Sequence, residues 1–204
     1  MKKQIWLLCL LAFSLGVQAQ SDKKTQLFNG KDLNGWEINP GGEWKVEKGV
    51  IVGKCAKEDK RHGLLITPEQ YGDFTLTVVY KAVKGNSGVY FRSEKVAAAV
   101  AINGIQAEID PTKDAGGLYE TGNRGWVAKP KPEDVQKWYK PGKWNEMVIV
   151  AKGKDLTVYV NGMKSAEVKD DPGRVKGHIA LQLHGDQEVE VWFKKVEIIG
   201  NPVP

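Results

Sequence analysis

Between residues 104 and 110 the chain reads Gly-Ile-Gln-Ala-Glu-Ile-Asp, an apolar position alternating with a polar one along the run. Side chains of a strand point to opposite faces with period two, so Ile105, Ala107 and Ile109 share one face and Gln106, Glu108 and Asp110 the other. The same parity just upstream groups Tyr90 with Arg92 and Val89 with Phe91. Residues 177–184 alternate again, with Ile179, Leu181 and Leu183 on one side and His178, Ala180, Gln182 and His184 on the other. Placed in one sheet, these three strands would join their polar faces into a single surface.

The rest of the chain carries the same signal. Residues 74–83 are rich in β-branched side chains, which disfavour helix and predict a central strand. The Gly85–Gly88 turn after it predicts antiparallel pairing with the strand carrying Tyr90 and Arg92. Hairpins are expected across Lys48-Gly49 and across Asn161-Gly162, and residues 189–199 read as a long closing strand. The single short helix expected is Glu133–Tyr139, opened by Pro132 and closed by Pro141-Gly142. Many strands, frequent turns and scarcely any helix predict an all-β chain, a two-sheet antiparallel β-sandwich with at most one or two short helices.

Residues 1–19 stand outside that pattern. Lys2 and Lys3 precede an apolar run from Ile5 to Leu15, and Val17-Gln18-Ala19 supplies a small-residue cleavage site. The run is too short to span a bilayer, which takes about 20 residues. The expectation is a cleaved signal peptide, hence export to the periplasm, cell surface or medium. A flexible lead-in is expected over 20–26 and one sandwich domain over 27–200.

Two of the five net positive charges belong to Lys2 and Lys3, and the remaining lysines interleave with acids. No basic stripe argues for nucleic acid. After cleavage Cys55 is the only cysteine, so no internal disulfide is expected. The chain has no phosphate loop, dinucleotide fingerprint, zinc spacing or nucleophile elbow. No cofactor is expected, redox cofactors included, with a divalent metal left open.

Candidate chemistry gathers on the polar faces. Glu108 and Asp110 lie about 7 Å apart along one strand face, and like charges that close raise one pKa toward neutrality. Six residues of strand separate His178 from His184 by roughly 20 Å, so one site takes at most one of them. His184 is preferred, at a strand end beside Gly185 and Asp186. Arg92 offers a planar donor for a carboxylate or sugar oxygen. Tyr119, Glu120, Arg124 and Trp126 sit on glycine-hinged backbone. With Tyr90, Gln106, Asp110 and Gln182, they are the candidate substrate-binding residues.

Seven motifs in order then carry a resemblance across the expected domain. They are Leu27-Phe28-Asn29-Gly30-Lys31-Asp32-Leu33-Asn34-Gly35-Trp36, Trp44 to Gly53, Tyr71-Gly72-Asp73-Phe74, Gly85-Asn86-Ser87-Gly88-Val89-Tyr90-Phe91-Arg92, Gly142-Lys143-Trp144-Asn145, Val160-Asn161-Gly162 and Gly177 to Gly185. Together they resemble the 3-keto-disaccharide hydrolase family. The resemblance implies a concanavalin A-like lectin/glucanase jelly roll and action on glycosides already oxidised to a ketone at C3. A base would take the acidified C2 proton, the enolate would expel the group at C1, and water would add back. On that reading Glu108 and His184 share the roles of base and acid, and Arg92 supplies a donor. Where the family pattern runs Glu-x-Gln, this chain has Gln106-Ala107-Glu108, carboxylate and amide exchanged on one face. The alternatives are a non-catalytic carbohydrate-binding lectin-like module and a partner-binding sandwich. The partner expected throughout is a carbohydrate, with no nucleic acid and no membrane span.

Overall fold

The computed structural model describes residues 23–98 and 100–204. The expected leader, residues 1–19, lies outside them. In chain order the elements are β1 (Lys24–Gln26), β2 (Glu37–Asn39), β3 (Glu43–Glu47), β4 (Val50–Cys55), β5 (Gly63–Ile66), β6 (Gln70–Tyr71), β7 (Phe74–Lys84), β8 (Ser87–Lys95) and β9 (Ile102–Ile109). They continue as β10 (Leu118–Thr121), β11 (Gly125–Ala128), α1 (Pro132–Trp138), β12 (Asn145–Lys152), β13 (Asp155–Val160), β14 (Met163–Val168), β15 (His178–Leu183), β16 (Val189–Ile199) and β17 (Pro202–Val203). The back sheet has the order β14-β13-β12-β7-β16-β4-β3, with β1 added on β16. The front sheet runs β11-β10-β9-β8-β15-β5-β2. All strand pairings are antiparallel, as a jelly-roll sandwich requires.

Period-two patterning decides which side chains fill the space between the sheets. From β7, Phe74, Leu76, Val78, Tyr80 and Ala82 point inward and meet Val89, Phe91, Ile105, Ala107, Ile109, Ile179 and Leu181 of the front sheet. Each fully buried Leu, Ile, Val or Phe contributes about 1.5–3 kcal/mol. In β16 a register shift between Phe193 and Lys195 moves the inward positions from Val191 and Phe193 to Val196 and Ile198. The extra residue thus keeps an 11-residue strand buried on one side throughout. At the β13–β14 hairpin, Asn161 and Gly162 have φ of 50° and 81°, the left-handed pair that a two-residue turn needs.

Two expectations change. Strands β7 and β8 do not pair: β7 lies between β12 and β16 in the back sheet, and β8 between β9 and β15 in the front. Both edges of β7 are already occupied, so residues 85–86 carry the chain across the sandwich, and Phe74 meets Phe91 edge-on at 6.0 Å across the core. The segment expected as a flexible lead-in includes β1, whose Lys24, Thr25 and Gln26 pair with Ile199, Ile198 and Glu197. Lys24 also reaches the Glu197 carboxylate at 3.2 Å. Beyond residue 200, β17 pairs with β6. Among the described residues no helix is long and apolar enough to cross a membrane.

Candidate active site

The outward face of the front sheet carries a row of side chains fixed by register. Trp126 pairs with Tyr119, Tyr119 with Gln106, Gln106 with Tyr90, and Tyr90 with Ala180, a line across five strands spaced about 4.8 Å apart. One pleat along, Glu108 lies opposite Gly88. A Cβ on Gly88 would come within 2.4 Å of the Gln106 side chain, so glycine leaves the space over which the Gln106 amide lies. Leu64, Ile66, Ile102 and Ala180 cover part of the same face with the residue 100–101 loop. The uncovered part is a cleft of about 430 Å³, flanked by Trp126 on β11 and by His62 and His184 at the ends of β5 and β15.

Glu108 is the central group. Its side chain is buried at 6% exposure, with Oε1 accepting from Asn86 Nδ2 and Oε2 accepting from Gln106 Nε2 at 2.6 Å. Burial pushes its pKa up to about 7. The two amide donors pull the other way, and the charges of Asp110 and Asp114 add to the rise. No ion pair to Glu108 forms among the described residues. A carboxyl group poised near neutrality can take a proton in one step and return it in another.

Around it runs a second set of hydrogen bonds. Gln182 Nε2 donates to the Tyr90 hydroxyl at 3.2 Å, and Tyr90 shares a 2.8 Å bond with the Thr121 hydroxyl. Whichever hydroxyl donates within that pair, the other keeps one hydrogen for a third partner. Burial raises the Tyr90 pKa far above the neutral range, so its phenol stays protonated. At the opposite end, His62 and His184 rings sit 4.3 Å apart, centre to centre. His184 Nδ1 lies 2.6 Å from the Gly185 carbonyl and acts as donor there, and the residue lines the cleft. Burial, with His184 beside it, holds the His62 pKa down to about 4, against a small opposing pull from Asp186. His62 is therefore neutral at physiological pH.

The cleft thus brings together Glu108, His184, Tyr90, Gln106, Tyr119, Trp126 and Gln182. Four other candidates lie elsewhere, each for a definite reason. Arg92 has φ of 48° at the register break between Phe91 and Glu94, and that bulge takes it out of line with Tyr90. Its guanidinium is 1% exposed and reaches Asp73 at 3.5 Å and the Gly72 carbonyl at 3.4 Å. Asp110 falls after the last residue of β9, where its carboxylate accepts from the Thr112 amide and hydroxyl, both at 2.6 Å. Glu120 shares its parity with inward-facing Leu118, whereas Tyr119 and Thr121 face the cleft. It is ion-paired to Arg124, which also binds Asp171 at 2.9 Å. His178 likewise stays outside, its Nδ1 2.8 Å from the Thr67 carbonyl.

Asn86, His62, Thr121 and Val100 complete the cleft without having been singled out in the sequence. Asn86 had a signal, as the polar residue of the Gly85–Gly88 turn. His62 had one as well, being the third histidine, two residues before an apolar strand. Joining it to His184 required the β5–β15 pairing, which brackets Gly63 with Leu183.

The model of the 3-keto-alpha-glucoside-1,2-lyase-like domain matches residues 23–199. The chain belongs to that family. This membership places it among carbohydrate-processing proteins. No curated protein sequence matches it. Among solved structures it is similar to a candidate glycosyl hydrolase from Parabacteroides distasonis, with TM-score 0.64 and 25% identity over 88% of this chain and 100% of that one. A carbohydrate-binding module, CBM66, from Bacillus subtilis has TM-score 0.63 and 20% identity over 81% of this chain and 96% of its own. The kappa-carrageenase of Pseudoalteromonas carrageenovora has TM-score 0.60 and 10% identity over 94% and 100%. The shared architecture is the concanavalin A-like jelly roll, and the cleft lies on its front sheet.

Proposed function

We propose that this protein is an exported enzyme that cleaves 3-keto-glycosides by proton abstraction at C2, elimination at C1 and rehydration. The reading is carried by one observation: a buried carboxyl group, Glu108, facing the cleft with its pKa near 7 and both oxygens held by amide donors. Glu108 takes the C2 proton, and the C–H electron pair forms an enolate on the C3 oxygen. The enolate collapses, the C1–O bond breaks, and the departing oxygen takes a proton from His184. Water then adds to C1 of the unsaturated ketone, giving a proton back to His184, while Glu108 returns its proton to C2. The free hydroxyl hydrogen of the Tyr90–Thr121 pair stabilises the enolate oxygen, the role that Arg92 is too remote to play.

Incubation with 3-keto-trehalose or a 3-keto-glucoside in D₂O tests the proposal. Release of the second sugar or aglycone with deuterium appearing at C2 is expected. Release without deuterium argues for direct displacement, and saturable binding without release would make the protein a binding module of the kind its CBM66 likeness describes.

A further inference from the structure

Three side chains lining the cleft carry an amide oxygen that accepts nothing. Asn86 Oδ1, Gln106 Oε1 and Gln182 Oε1 are all buried and without a hydrogen-bond partner. Gln106 and Gln182 are 4% and 2% exposed. The orientation of each amide is set by its nitrogen. Asn86 and Gln106 give theirs to the Glu108 carboxylate, and Gln182 gives its own to Tyr90, so the carbonyl ends are turned elsewhere. An unmet buried acceptor costs about 1–3 kcal/mol, and only a donor relieves it. No lysine or arginine lines the cleft, and Glu108 is its only carboxyl group. Lys129, whose ammonium lies 4.1 Å from the centre of the Trp126 ring, is engaged by Asp114 at 3.0 Å.

From this arrangement we infer that the cleft selects uncharged, hydroxyl-bearing sugar rings and rejects sugars carrying a carboxylate, phosphate or sulfate. The inference rests on the functional reading above and names the sugar class that reading leaves open. Sugar hydroxyls are donors as well as acceptors and suit a lining of amides, hydroxyls and one carboxyl group. Anionic oxygens are acceptors only and would meet the Glu108 carboxylate with no lysine or arginine in the lining to compensate.

Calorimetric titration at pH 8 of His184→Ala, which turns over slowly on the proposed mechanism, tests it. The two probes are methyl 3-keto-glucoside and the matching methyl 3-keto-glucuronide, which differ only in a carboxylate at C6. At least tenfold tighter binding of the neutral probe is expected, and the ratio should narrow severalfold when Glu108→Gln is added. Equal or tighter binding of the glucuronide overturns the inference, as does binding of neither probe or a ratio that Glu108→Gln leaves unchanged. Failures of the two readings separate. Neutral selectivity in a wild-type protein that releases no product removes the catalytic reading alone. Normal turnover with indifferent binding removes only the selection of neutral sugars.

Discussion

Glu108→Gln separates what this carboxyl group does for chemistry from what it does to the fold. The folded-state pKa is raised from 4.5 to about 7, so between those values the native protein holds a proton that the unfolded chain has released. Native stability is therefore highest below the unfolded pKa and falls as pH rises toward the folded one. At about 1.4 kcal/mol for each unit, the full loss is about 3 kcal/mol, most of it between pH 5 and 8. Glutamine keeps the shape and cannot ionise. It also meets two amide donors with a single oxygen, a cost that does not vary with pH. The variant should gain on the wild type by about 2–3 kcal/mol between pH 5 and 8, read as a difference in Tm of roughly 5–10 °C for a domain of this size. Paired thermal melts at the two pH values measure it, since every other titrating group cancels in the difference. Turnover at pH 8, where the wild-type carboxylate is ionised, should fall by about 10²-fold or more. A stability difference flat with pH would show that Glu108 titrates normally, and the case for it as the base would fall with that result.

Other perturbations test neighbouring parts of the argument. Asn86→Ala removes a donor from the Glu108 carboxylate, so the acidic limb of the pH–rate profile should move to higher pH, and an unmoved limb would deny Asn86 that role. His184→Ala should lower turnover by about 10²-fold with an unchanged melting curve, whereas undiminished turnover would assign the acid elsewhere. Gly88→Ala sets a Cβ within 2.4 Å of the Gln106 side chain and should destabilise by about 1–3 kcal/mol in urea titrations. Arg92→Met exchanges a buried guanidinium, whose Nε and Nη1 lack partners, for an apolar chain, and leaves the Asp73 side chain at 61% exposure in solvent. Stability should hold or rise and turnover should stay within about twofold; a large loss of turnover would return Arg92 to the chemistry.

Much of this was legible in the sequence because period two is enforced wherever one face is buried. Ile105, Ala107 and Ile109 had to enter the core, and that alone turned Gln106 and Glu108 outward together. The same reading failed where the backbone breaks its period. Arg92 sits in the left-handed region at a bulge, and no residue type there announces it, since arginine seldom adopts that conformation. Asp110 lies one residue past its strand. Glu120 was grouped with Tyr119 as a neighbour, although adjacent residues of a strand face opposite ways. Strand order is the other hidden quantity. The pairing expected between β7 and β8 follows from a short link and glycine, but that link joins two sheets, and its direction depends on which strands already flank β7.

That two-residue crossing, 85–86, also decides when the cleft can exist. Asn86 belongs to the bridge between the sheets yet holds a carboxylate 22 positions away, Tyr90 meets Gln182 across 92, and His62 stacks on a ring supplied after β15. These three contacts join distant parts of the chain, so loop closure must precede them and the assembled cleft depends on the sandwich being formed. Ligand affinity should then vanish together with the core on denaturation, with no state that binds sugar but has lost its sandwich.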